Sequence, residues 1–165
     1  MTTTYEKIAT TTLTSATGEV TFSSISGAFT DLILIIQAKT VTYNGVDINV
    51  YVNGDTASNY SSQSLRGNGS SASAARTTSG TYFSVDNLSI MNTTDWTISR
   101  MNFFNYSNTT TNKTMLARTD RAGAGTTATA NLWRSTAAIN SITLDCGADS
   151  YASGSIFSLY GIKAE

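Results

Sequence analysis

The chain has 165 residues, a net charge of −1 and only 13% charged residues, so nucleic acid and anionic membranes have no general electrostatic hold on it. It contains no His and a single Cys, which excludes a Ser-His-Asp triad, a Cys-His dyad, a zinc site with a His ligand and any intrachain disulfide. Hydrophobic residues at 40% are enough for one packed domain, while 29 Thr, 22 Ser and 13 Asn lean towards strands and turns rather than helix.

Residues 1–4 are polar and are expected to form a flexible arm, with one β-sandwich domain over 5–165. The start lacks the basic, apolar and small-residue regions of a secretory signal. Synthesis in a cytoplasm is the expectation. The longest apolar run, Leu32 to Ile36, is far short of the ~20 residues that span a bilayer.

Period-two alternation predicts strands at 5–14, 18–25, 29–38, 46–52, 58–65, 81–90, 95–106, 114–121, 127–134, 139–146 and 154–163. Val20 and Phe22 share one side. So do Val46, Ile48, Val50 and Val52, then Phe83 and Val85, Trp96 and Ile98, and Ile142 and Leu144. Leu32 to Ile36 is continuously apolar and reads as a strand buried on both faces, near the centre of a sheet. Asn44-Gly45 and Asn53-Gly54 suit type I′ turns, because both residues tolerate positive φ. Asn108 to Asn112 reads as a hairpin tip. Gly67 to Gly80 is low in complexity and reads as a long loop. No window carries a clean helical stripe. The expected fold is all-β: an antiparallel two-sheet sandwich, jelly-roll-like, with about 8–10 strands.

The candidate constellations are few. Asp47, Asn49, Asn53 and Asp55 offer oxygen ligands of the kind calcium takes. Their spacing is not that of an EF-hand, and turn chemistry explains Asn53-Gly54-Asp55. Asp145 and Asp149 would need to face each other across a cleft to act on glycosides, but Gly147 between them suggests a solvated turn. Cys146 reads as a small buried hydrophobe. Gly67-Asn68-Gly69 and Gly123-Ala124-Gly125 precede no helical pattern and read as flexible loops rather than phosphate cradles. Arg66, Arg76, Arg118, Arg121 and Arg134 near Tyr60, Tyr82 and Trp133 favour a solvated rim or protein interface over a nucleic-acid surface. Trp96 and Trp133 are possible sugar platforms, with core packing the simpler reading. Seven Asn-x-Ser/Thr sequons fall at Asn59, Asn68, Asn87, Asn92, Asn105, Asn108 and Asn112, a number that chance explains in a chain of this composition. No catalytic, cofactor-binding or metal residues are expected, and no cofactor.

The segment Val50-Tyr51-Val52-Asn53-Gly54-Asp55-Thr56-Ala57-Ser58-Asn59-Tyr60, followed by Leu65-Arg66-Gly67-Asn68-Gly69, resembles small virion structural proteins of tailed bacteriophages. The start, from Tyr5-Glu6-Lys7-Ile8-Ala9 through Phe22 to Leu32, and the ending, Gly154-Ser155-Ile156-Phe157-Ser158-Leu159-Tyr160-Gly161-Ile162-Lys163, are similar to theirs. The resemblance implies a virion structural protein with a β-sandwich fold; that it is not an enzyme is expected from the lack of an acid–base constellation. The resemblance does not choose between head and tail. The role expected first is a capsid decoration (cement) protein that binds the major capsid protein and copies of itself, with a trimer at a point of local symmetry. The alternative is a tail or fibre module that contacts a host-surface glycan. Neither role involves nucleic acid or membrane.

Overall fold

The computed structural model describes residues 4–85 and 91–163. Residues 1–3 of the expected arm lie outside them, and Thr4 accepts a backbone hydrogen bond from Lys163 at 3.2 Å. The described residues form twelve strands: β1 (Tyr5–Thr12), β2 (Glu19–Phe22), β3 (Asp31–Ala38), β4 (Asn49–Val52), β5 (Tyr60–Gly67), β6 (Ala72–Gly80), β7 (Phe83–Ser84), β8 (Thr97–Phe104), β9 (Lys113–Arg121), β10 (Gly125–Trp133), β11 (Ile142–Asp145) and β12 (Ile156–Ile162).

All pairings are antiparallel. One sheet has eight strands in the order β1-β12-β3-β8-β9-β10-β5-β6, and the other has four in the order β2-β11-β4-β7. The first four strands of the large sheet and all four of the small one make a jelly roll, with the chain crossing repeatedly between sheets. The remaining strands are two inserted hairpins. β5–β6 lies between β4 and β7, and β9–β10 lies between β8 and β11. The hairpins pair with each other through β10 and β5 and widen the large sheet by four strands. These insertions take the strand count past the expected range.

The core lies between the sheets. Leu32, Leu34, Ile36, Met101, Phe103, Phe157 and Leu159 of the large sheet join one cluster with Val20, Phe22, Val50, Val52, Ile142 and Leu144 of the small sheet. Each such side chain contributes about 1.5–3 kcal/mol when fully buried. Gly161 is inward-facing because the Phe29 ring packs against it, and an added Cβ would run into that ring. Expected alternations at Val20–Phe22, Val46–Val52, Phe83–Val85 and Ile142–Leu144 all point inward.

Several expectations are corrected. On β3 the second face is only partly covered: Ile33 is buried, but Ile35 is 40% exposed, because no layer packs over the outside of the large sheet there. On β8 the inward set is Thr97, Ser99, Met101 and Phe103, so Ile98 lies outside and Trp96 is exposed. The expected loop over Gly67–Gly80 is mostly β6, an edge strand that backbone pairing with β5 holds without any buried side. The expected strand at 81–90 is reduced to β7, with 86–90 outside the described residues.

The turns follow their chemistry. Asn53 and Gly54 have φ of 53° and 67°, and Asp55 N–H donates to the Val52 carbonyl at 3.0 Å, as a type I′ turn requires. The turn redirects the chain between sheets instead of closing a hairpin. At Asn44-Gly45 only Gly45 has positive φ, so that turn is not type I′. Asn68, Asn92 and Asn108 share one device: each Oδ1 accepts N–H groups from the residues two and three positions on. Three of the sequons are therefore turn-forming sequences.

Candidate functional site

The acidic candidates of the sequence are tied into the scaffold. Asp55 accepts the Trp133 indole N–H at 2.6 Å, the Asn59 amide at 2.9 Å and the Ala57 N–H at 2.9 Å. Burial alone would raise its carboxyl, but these hydrogen bonds outweigh that effect and hold it below its ordinary value. Beside it the Tyr60 hydroxyl donates to the Asp55 carbonyl. Burial pushes that phenol up to about 12. Asn53 donates to the Ala138 carbonyl and accepts from Asn140 and Ser141. The Asn53–Tyr60 segment thus staples the exit from β4 to the return from β10, the two places where inserted hairpins leave and rejoin the jelly roll.

Asp149 accepts from the N–H groups of Thr42, Tyr43 and Ser150. Burial would raise it, yet these donors hold it low. Asp145 accepts from the Asn49 amide at 3.2 Å. Cys146 between them is fully buried, and burial, followed by the two carboxylates, pushes its thiol up to about 12. A thiol so protonated is no nucleophile at neutral pH. Among the described residues no three His, Cys, Asp or Glu side chains gather around a metal position. Lys113, buried at the start of β9, donates to the carbonyls of Thr111 and Thr136. Burial lowers its ammonium pKa.

The other candidates also separate. Gly67-Asn68-Gly69 and Gly123-Ala124-Gly125 sit at the β5–β6 and β9–β10 turns. Trp133 and Tyr60 are buried and stack on each other, whereas Trp96 is partly exposed under the Lys39 ammonium. The two tryptophans therefore form no common platform. Arg121 pairs with Asp95, Arg134 bonds Ser58 and Ser61, and Arg66 bonds Ser73.

What remains is a surface. On the outside of the large sheet the strand registers build two parallel rows. One runs Arg100, Arg118, Ala128, Leu65, Ala74; the other runs Asn102, Leu116, Ala130, Gln63, Arg76. The two alanines of β10 leave a trough between the larger residues of β9 and β5. It forms an open groove of about 450 Å³ walled by Leu65, Phe104, Leu116, Arg100 and Arg118. A second groove of about 410 Å³ continues it past Leu116 and Ala130 to Arg76. Leu65 is 63% exposed, Ile98 53%, Leu116 50% and Phe104 36%. Aliphatic and aromatic side chains thus gather on adjacent strands of the uncovered face. As candidate interface residues of this face the sequence reading offered only Arg76 and Arg118. Arg100, Phe104 and Leu116 were missed, and Leu65 was named only within a segment of resemblance. Their signal was the simultaneous presence of apolar residues at both phases of β8 and β9.

No protein-family model matches the chain. No curated protein matches its sequence. Among solved structures it is similar to an alginate lyase from Aplysia kurodai, with 13% identity over 84% of this chain and 70% of that one, at a TM-score of 0.37. It is also similar to the alginate lyase Aly36B, with 10% identity over 93% and 77%, at a TM-score of 0.37. A protein of unknown function from Shewanella oneidensis MR-1 shares 11% identity over 98% and 80%, at a TM-score of 0.28. Likeness at this level carries no argument about activity.

Proposed function

We propose that the protein is a virion structural protein that works by adhesion rather than turnover, as a decoration protein binding neighbouring subunits of a phage head. The observation that carries the adhesive reading is the open face of β8, β9, β10 and β5, where Leu65, Phe104 and Leu116 stand exposed around one groove. A covering partner would remove their apolar area from water at roughly 25 cal/mol per Å². The assignment to a phage head rests on the resemblance of the Val50–Tyr60 segment and both chain ends.

The chemistry of the interior supports the same reading. Asp55 and Asp149 are held ionised by structural donors, and Cys146 is held protonated. General acid–base catalysis near neutral pH needs a pKa near the working pH, and all three groups are shifted away from it.

The test is location. Antibody labelling in electron micrographs of intact particles places the protein on the head, in many copies. Particles lacking it lose infectivity at a lower temperature than complete ones. Label confined to tails overturns the head assignment, and consumption of a polysaccharide by the purified protein overturns the adhesive one.

A further inference from the structure

The open face carries an unusual charge arrangement. Arg100 and Arg118 are direct cross-strand partners on β8 and β9, and both point outward. Like charges directly opposite one another destabilise a sheet. Asp120 relieves Arg118 in part, at 2.9 Å, but the Arg118 side chain remains 70% exposed. Arg100 makes no ion pair among the described residues. Arg76 adds a third guanidinium at the end of the neighbouring row.

The opposite side of the sandwich repeats the arrangement with the sign reversed. Glu19 and Asp145 are direct cross-strand partners on β2 and β11. Their neighbours Val20 and Leu144 point into the core, so the two acids share the outer face of the small sheet. Glu19 is exposed and makes no ion pair among the described residues. The adjoining row is Thr21, Thr143 and Tyr51, and Tyr51 meets the Tyr82 ring edge to face. This is a surface of hydroxyls and aromatic rings with an acidic margin, beside a cavity of about 480 Å³ lined by Asn49 and Tyr82. Tyr and Arg are the residue types that protein interfaces favour.

We propose that copies of this chain associate face to back, with the Arg100–Arg118 pair of one copy against the Glu19–Asp145 pair of the next. The inference deepens the adhesive reading by naming one occupant of the open face: the small sheet of a second copy. Each like-charge pair loses its self-repulsion when the other approaches. Leu65 and Leu116 then lie against the threonine and tyrosine row, at a sheet-to-sheet spacing of about 10 Å. The contact joins two different surfaces, so a dimer keeps one surface of each kind free and association continues past it.

Sedimentation velocity of the intact protein tests this, over a concentration series at low and high salt. The wild type forms species beyond the dimer at low salt, and these dissociate as salt screens the contact. Arg100→Glu with Arg118→Glu weakens association at least tenfold, as does Glu19→Arg with Asp145→Arg. Both double variants keep the wild-type circular dichroism; each lowers the melting temperature slightly, since one loses the Arg118–Asp120 pair and the other the Asn49–Asp145 hydrogen bond. A chain carrying all four reversals associates again. A wild type that stays monomeric at every concentration overturns the proposal, as does a fourfold variant that stays dispersed. A monomeric chain that still labels particle heads overturns self-stacking alone and leaves the shell reading standing. Stacking by a protein that never labels particles does the reverse.

Discussion

The inner face of β3 is Leu32, Leu34, Ile36 and Ala38, whereas that of β10, in the same sheet, is Thr127, Thr129, Asn131 and Trp133. On β3 and β12 the large sheet is apolar inside. From β8 across to β10 polar side chains join the inner face: Ser99 bonds Thr119 at 2.8 Å, Thr119 donates to the Val85 carbonyl, and Asn131 bonds Thr129. The outside is inverted in turn, with Leu65 and Leu116 exposed beside Ala128 and Ala130. A strand pair with polar residues inside and leucines outside is poorly suited to a free monomer. It suits a sheet whose second face is covered by something else.

Mutations separate the two halves by size of effect. Leu34→Ala empties a fully buried site and is expected to cost about 3–4 kcal/mol in urea unfolding. A loss below about 1 kcal/mol there would mean the jelly-roll core is looser than its packing suggests. Trp133→Phe removes the indole donor from Asp55 at the junction of the halves and is expected to cost about 2 kcal/mol.

The same junction predicts a pH dependence. Asp55 and Asp149 have folded-state pKa values below their unfolded ones, so the folded state binds fewer protons. Their stabilisation is complete above the unfolded pKa of about 3.9 and is lost as pH falls through the folded values. Thermal melting between pH 5 and pH 2 is expected to show a steep fall, which Asp55→Asn and Asp149→Asn make shallower. An unchanged slope in both variants would remove these carboxylates from the account.

Smaller effects probe the inserted half. Thr127 Oγ1 is buried without a hydrogen-bond partner among the described residues. Thr127→Val is therefore expected to leave stability unchanged or raise it by up to about 1 kcal/mol. Leu116→Ser on the open face is expected to change the stability of the isolated chain by less than about 0.5 kcal/mol. A loss comparable to that of Leu34→Ala would show that the face is already sealed within one chain.

The jelly-roll half was legible because its strands alternate cleanly: Val46, Ile48, Val50 and Val52 leave one phase for the core. Asn53-Gly54 and the Asn108 tip were legible from turn chemistry alone. The inserted half was harder to read. Strand β6, Ala72 to Gly80, buries nothing, so its sequence carries no period, and only its pairing with β5 makes it a strand. On β8, Ile98 and Phe104 signal one face while Met101 and Phe103 signal the other. Alternation identifies a strand there but not its inward side. The open face escaped notice for that reason: its leucines, Leu116 of β9 and Leu65 of β5, are brought together only by the β10–β5 pairing between two separate insertions.

The central claim is that the outer side of β8, β9, β10 and β5 is covered when the protein works. Hydroxyl-radical footprinting of the protein on intact particles, compared with the free chain dispersed at high salt, tests this directly. Protection of Leu65, Phe104 and Leu116 by several-fold on the particle is the expected result, and equal labelling of these three residues in both states would contradict it.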